Sequence, residues 1–120
     1  MGKDIFIGAF TYIAENAKIG DNTRIQSHTF ICSKVKIGNN CFVGHGVMFV
    51  NDKFENGKPS GKDKLRETSI GNNVSIGSNS TILPVSICDD VVIGAGSVIT
   101  KNILKPGIYA GNPSKFLRKI

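Results

Sequence analysis

Apolar residues recur at every sixth position in the first half of the chain: Ile7, Ile13, Ile19, Ile25, Ile31, Ile37, Val43 and Phe49. The beat lapses, resumes at Ile70, Ile76 and Ile82, and continues at Ile87, Ile93 and Ile99. Four places past each beat stands a small or medium residue, as at Thr11, Ala17, Thr23, Thr29, Val35, Cys41 and Val47, and later Thr68, Val74, Ser80, Val91 and Ser97. Glycine often follows the beat directly, as at Gly8, Gly20, Gly38, Gly44, Gly71, Gly77 and Gly94. A period of six fits neither an amphipathic helix nor an alternating strand. It predicts short strands separated by tight turns, with two inward residues per hexad filling a narrow core. Three hexads would close a triangular coil of about 18 residues, stacked on the next at roughly 4.8 Å.

Such coils demand similar residues about 18 apart, and the turn formers comply. Asp21-Asn22 is followed by Asn39-Asn40. Removing residues 53–67 as an insertion brings Asn72-Asn73 into the same column, and shortening the hexad at Ile82 by one residue adds Asp89-Asp90. Asn and Asp tolerate left-handed backbone, so turn chemistry accounts for this ladder without a metal or acid site. The register then fixes a second column: Ser27-His28, His45-Gly46, Ser78-Asn79 and Ala95-Gly96. Both histidines fall on one edge of the prism in adjacent coils. Above them the side chains shrink, which predicts a shallow groove offering main-chain amides to an elongated ligand.

The beat stops after Phe49, at Asn51-Asp52, where a loop of residues 53–67 leaves the prism. A regular prism has no pocket, and the loop is expected to supply one wall of it. Asn51 and Asp52 serve there either as caps of the loop or as contacts to a substrate. Phe42, Met48 and Phe54 flank the region and read as packing residues.

A chain of 120 residues makes one domain, 1–120. No apolar run reaches the roughly 18–20 residues of a membrane span, and the N-terminus lacks a signal-peptide core. Three cysteines without a C-x-x-C pair suggest reduced thiols in a cytoplasm, with neither disulfides nor a metal site. The net charge of +6 raises the question of nucleic acid, but ten of the fifteen Lys/Arg residues gather in two clusters, five between Lys53 and Arg66 and five between Lys101 and Lys119. They lack interleaved aromatics, so a phosphate-bearing small ligand is the better match. A zinc-dependent carbonic anhydrase of stacked hexapeptides needs three histidines, and this chain has two. An ice-binding solenoid would carry its threonines outward, whereas these are expected to point in.

The motifs I-G-D-N, V-G-H-G, I-G-N-N-V-S-I-G-S, I-G-A-G-S-V-I-T-K and the closing Y-A-G-N-P-S-K together resemble the left-handed β-helix hexapeptide-repeat acyltransferases. Within that superfamily, H-T-F-I-C and F-V-G-H-G-V-M-F-V-N-D-K-F are similar to nucleotide-sugar N-acetyltransferases, which act on dTDP- or UDP-linked amino-deoxyhexoses for surface polysaccharides. The resemblance implies an all-β, left-handed parallel β-helix of about five coils, with one inserted loop and a short C-terminal helix. It also implies a homotrimer that binds acetyl-CoA in the cleft between neighbouring prisms, with no metal.

By that resemblance Gly77, Ser78, Ala95 and Gly96 flank the pantetheine arm, and residues 105–120 close over the coenzyme. Asn112 and Pro113 are expected as the N-cap and first residue of the short helix. Lys105, Lys115, Arg118 and Lys119 are candidates for the coenzyme phosphates, or serve solubility alone. The mechanism expected is amide formation, with His45 as general base or orienting acceptor, His28 supporting it, and Asn51 or Asp52 holding the sugar amine. Two other classes stay open: an O-acetyltransferase, which needs a stronger base, and a scaffold that binds no coenzyme.

Overall fold

The computed structural model describes all 120 residues and is a three-faced parallel β-solenoid. The first coil comprises β1 (Phe6–Ile7), β2 (Tyr12–Ile13) and β3 (Lys18–Ile19), and the second β4 (Arg24–Ile25), β5 (Phe30–Ile31) and β6 (Val35–Ile37). The third holds β7 (Phe42–Val43), β8 (Met48–Phe49) and, beyond the loop, β9 (Thr68–Ile70). The fourth holds β10 (Ser75–Ile76), β11 (Thr81–Ile82) and β12 (Ser86–Ile87). The fifth has β13 (Val91–Ile93), β14 (Val98–Ile99) and a bridge at Ile103; β15 (Gly107–Gly111) opens a sixth, and β16 (Ser114–Arg118) turns back along it. Face A carries β1, β4, β7, β10, β13 and β15, face B carries β2, β5, β8, β11 and β14, and face C carries β3, β6, β9 and β12.

The six-residue beat is the core. Ile25, Ile31, Val43, Ile82 and Ile99 have no exposed surface, and 20 buried residues form a single cluster. The smaller inward residues include hydroxyls, and most of these cork a corner carbonyl. Thr23 donates to Gly38 O at 2.8 Å, Thr29 to Gly44 O at 3.0 Å and Ser80 to Gly94 O at 3.1 Å. This is why Thr and Ser are tolerated in so thin a core: the buried hydroxyl is matched to a backbone acceptor that the turn leaves over. The three cysteines are free thiols. Burial pushes the Cys41 thiol up, and its Sγ–H donates to Gly71 O at 3.1 Å.

The Asn/Asp ladder forms the corner between faces C and A. Asp21 Oδ1 accepts from Lys3 N, Asn39 Oδ1 from Asp21 N, Asn72 Oδ1 from Asn39 N, and Asp89 Oδ1 from Asn72 N, all at 2.7–2.8 Å. The second residue of each pair, Asn22, Asn40, Asn73 and Asp90, is left-handed with φ of 57–61°. The separations report the insertion and the shortened hexad. Partners are 18 residues apart in the lower coils, 33 across the loop, and 17 above it.

One expectation fails. Residues 105–120 form no helix; β15 and β16 make an antiparallel hairpin that extends face A, with Asn112 and Pro113 in its turn. The reason is the open edge of β13. Pairing with β15 satisfies a row of backbone groups at once, whereas an isolated short helix is marginal in water. The hairpin is locked where Tyr109 meets Phe116 edge-on at 5.4 Å and Lys105 Nζ lies 4.2 Å over the Phe116 ring. The coils number about six where about five were expected, and the inserted loop contains only a 3₁₀ turn at Lys62–Lys64. No helix is long and apolar enough to cross a membrane.

Two substitutions separate the contributions of core and corner. Ile76→Ala opens a cavity at a residue 1% exposed and should cost about 2–5 kcal/mol. Asn72→Ala removes the acceptor for Asn39 N and should cost about 1 kcal/mol. Equilibrium unfolding in urea measures both.

Candidate active-site edge

The second corner column joins faces A and B, and it is built differently from the first. In each coil its second residue, Phe10, His28, Gly46, Asn79 or Gly96, is left-handed with φ of 61–68°. The backbone N–H of that residue donates to the first residue of the coil below: His28 N to Ala9 O, Gly46 N to Ser27 O, Asn79 N to His45 O, and Gly96 N to Ser78 O. At the Asn/Asp corner the first residue's own N–H is taken by the side chain one coil up. Here the first residues are Ser27, His45, Ser78 and Ala95, and the N–H groups of all four find no protein acceptor. The edge is thus a vertical row of outward amide donors. Space is kept open as well: a methyl built on Gly96 would meet nothing within 4 Å. Gly77 packs so closely on the next coil that a methyl there would sit 2.4 Å from Ala95 N.

The two histidines occupy different turn positions. His28, in the left-handed position, stacks on Phe10 with ring centroids 5.2 Å apart. His45 is in the first position one coil above, exposed, and its Nδ1 lies 3.0 Å from Ser27 Oγ. That contact leaves Nε2 as the outward nitrogen. When Nδ1 carries the proton and donates to Ser27, Nε2 presents a free lone pair. Ser27 is the partner that sequence reasoning missed. Its place below His45 was legible in the register, but the contact depends on the side-chain rotamers.

Gly77, Ser78, Ala95 and Gly96 rise above His45 on the same edge. The hairpin turn reaches it too, since β15 continues face A and Gly111 N donates to Ser97 Oγ at 3.2 Å. Gly111 and Asn112 therefore cap the row of amides, with Pro113 following. Lys115 and Arg118 lie on β16, opposite Ala110 and Ile108. The turn and Lys115 lie near the top of the histidine edge, whereas Arg118 lies back across face A.

Asn51 and Asp52 lie elsewhere. They stand at the corner between faces B and C, across the whole of face B from the histidines. They line a cavity of about 440 Å³ with Tyr12, Phe30, Ser33, Phe49 and Phe54. Asn51 Nδ2 donates to Ser33 O at 3.0 Å and to Ser33 Oγ at 2.9 Å. The Asp52 carboxylate accepts from Ser60 N at 2.7 Å and Phe54 N at 2.9 Å, and these bonds, Ser60 first, hold it below the usual carboxylate range. The predicted catalytic residues therefore form two groups on different corners of the chain, and Asp52 is engaged in anchoring the loop.

Residues 1–33 match the family described as bacterial transferase hexapeptide (six repeats). Residues 34–48 and 67–101 match the hexapeptide repeat of succinyl-transferase. The chain belongs to the hexapeptide-repeat acyltransferase superfamily. The unmatched stretch between the two blocks contains the inserted loop, which explains why the repeat breaks there.

This hexapeptide-repeat chain is 35% identical over 120 residues to the bifunctional protein GlmU of Streptococcus uberis, covering 99% of the chain and 24% of that relative. It thus spans about a quarter of the length of the curated relatives it matches. Among solved structures it is similar to a maltose O-acetyltransferase from Clostridium difficile 630, with a TM-score of 0.86 and 28% identity over 100% of this chain and 68% of that one. A galactoside acetyltransferase in complex with coenzyme A superimposes with a TM-score of 0.85 and 31% identity, over 98% of this chain and 63% of that one.

The loop anchor has a definite pH dependence. A carboxyl whose folded pKa is depressed contributes stability above its unfolded value, about 3.9, and loses it as the pH falls through the lower folded value. The amides of Phe54 and Ser60 should lose hydrogen-exchange protection on acidification below about pH 4 while the coil amides keep theirs. At neutral pH, Asp52→Ala should speed tryptic cutting after Lys53 and Lys64 several-fold without lowering the melting temperature of the coils.

Proposed function

We propose that this chain transfers an acetyl group from acetyl-CoA to the amine of a nucleotide-linked amino sugar, with His45 at the reacting centre. The observation that carries this reading is the His45–Ser27 contact set in a row of unpaired amides. Acetyl-CoA supplies an acetyl thioester, and the residues present fit it. The N–H groups of His45, Ser78 and Ala95 offer donors along an extended chain, and Gly96 leaves room beside them. Asn112, Pro113, Lys115 and Arg118 on the hairpin would close over the coenzyme.

The chemistry follows from the protonation of His45. With Nδ1–H held on Ser27, Nε2 accepts a proton from the amine as its nitrogen bonds to the thioester carbon. An amide N–H of the edge stabilises charge on the carbonyl oxygen, and the carbon–sulfur bond then breaks, the imidazolium returning the proton to the departing thiolate. His28 supports the site from one coil below. A neutral hydroxyl partner orients the imidazole but offers no charge to the imidazolium that forms, as a carboxylate would. An amine, itself nucleophilic once neutral, asks less of such a partner than a sugar hydroxyl does. This favours N-acetylation. The maltose O-acetyltransferase and galactoside acetyltransferase among the similar structures favour the second reading, a sugar O-acetyltransferase.

The separation of Asn51 and Asp52 from His45 supports assembly. Faces A and B, which flank the histidine edge, expose Phe6, Phe42, Tyr12, Phe30 and Met48, each at 39–56%. A homotrimer packed through these faces would bring the histidine edge of one prism against the Asn51 cavity of the next. Asn51 there would contact the acceptor, and Asp52 would shape the loop around it.

The deciding assay is thiol release from acetyl-CoA against dTDP- and UDP-amino sugars, with the free amino sugars, maltose and a galactoside as controls. Turnover with one nucleotide amino sugar alone is expected. Turnover with a neutral sugar alone establishes the O-acetyl reading, and no thiol release with any acceptor removes both. His45→Ala should lower kcat by about 10²-fold or more, and a loss of only a few-fold rules out the base. Ser27→Ala should lower kcat by roughly tenfold with KM for acetyl-CoA little changed, and Ser27→Thr should restore the rate.

A further inference from the structure

Face C is the side of the prism opposite the histidine edge, and it differs from the other two. Its outward row runs Lys18, Lys36, Ser69 and Ser86, with no large apolar residue among them. Lys18 and Lys36 are direct partners on neighbouring strands, an arrangement of like charges that opposes pairing. Lys34 stands beside them at the corner in left-handed backbone, φ 65°, an uncommon conformation for a lysine. Its Nζ, 3.3 Å from Leu65 O, ties the inserted loop to this corner.

The lysines are not neutralised by the protein. The chain's one ion pair joins Arg66 to Glu55 in the loop, away from this row. Lys18, Lys34 and Lys36 line a concavity of about 350 Å³ together with Glu67, Thr68 and Ser69. Three lysines and one glutamate therefore line it. Thr68 is 1% exposed, and its hydroxyl is the chain's one buried side-chain polar atom without a partner, whereas Thr23, Thr29, Ser80 and Ser97 all find carbonyls.

We infer that this concavity on face C binds a phosphoryl group, through Lys18, Lys34 and Lys36 with the Ser69 hydroxyl as an added donor. A doubly charged phosphoryl oxygen cluster relieves the repulsion between the paired lysines, and ammonium groups bind phosphate as point charges from several directions. Glu67 at the rim disfavours a bulky polyanion laid flat and favours a single group entering between the lysines. The site is separate from the proposed reacting edge, with the full thickness of the prism between them. It does not depend on the identity of the acyl acceptor.

The test uses the full chain and two probes. Inorganic pyrophosphate is titrated by calorimetry, and vesicles of phosphatidylglycerol are compared with vesicles of phosphatidylcholine by sedimentation. The variants are Lys18→Gln/Lys36→Gln and the control Lys101→Gln, an exposed lysine at the far end of the chain. Saturable pyrophosphate binding, weakened about tenfold or more in the double variant and unchanged in the control, is expected. Binding of phosphatidylglycerol vesicles alone, with the same dependence on Lys18 and Lys36, assigns the phosphoryl group to a lipid headgroup. Binding of neither probe, or equal loss in the control, overturns the site. Acetyl transfer measured on the same variants keeps this outcome distinct from failure of the proposed activity.

Discussion

Everything in this molecule hangs on the parallel hydrogen-bond ladder that runs from each coil to the next. A coil of three two-residue strands has almost no internal bonding and buries its inward residues only when a neighbour lies above or below it. The ladder therefore sets both the stability and the register, and the register decides which side chains stand over one another. The corners have to bend within two residues while staying in step. This is why the second residue of most turns is left-handed and why Asn, Asp or Gly so often fills it.

The ladder also explains why free hydrogen-bond donors gather on edges. Strand groups are paired and inward side chains are packed, so free donors arise only where turns leave them. At the corner between faces C and A, the Asn and Asp side chains absorb those donors and make an inert seam. At the corner between faces A and B, serine, histidine and alanine leave the same donors open. Two corners with one backbone plan thus diverge through a single choice of side chain, a closed seam on one and a row of open donors on the other. The third corner admits the loop, which is held by the Asp52 carboxylate and by Lys34 rather than by a core of its own.

Apolar surface completes the picture. A thin solenoid cannot bury every large side chain, and the exposed aromatics collect on the two faces beside the histidine edge while face C stays basic and polar. That division gives the prism two faces suited to packing against copies of itself and one suited to charge.

The sequence alone determined the coil, the inward residues, the Asn/Asp seam, the position of the insertion and the alignment of both histidines with the small-residue strip. All of these follow from a strict period, which a reader can count because each coil repeats the same local bonding. The tertiary structure decided the rest. Residues 105–120 became a hairpin because an unpaired strand edge was waiting, a fact outside that segment. His45 acquired Ser27 as its partner because rotamers and distances between coils are not written in a period. Lys18 and Lys36, one coil apart, share a column by the period, and the paired strands make them direct partners. Periodicity fixes which residues share a column; only the packed coils fix which atoms meet.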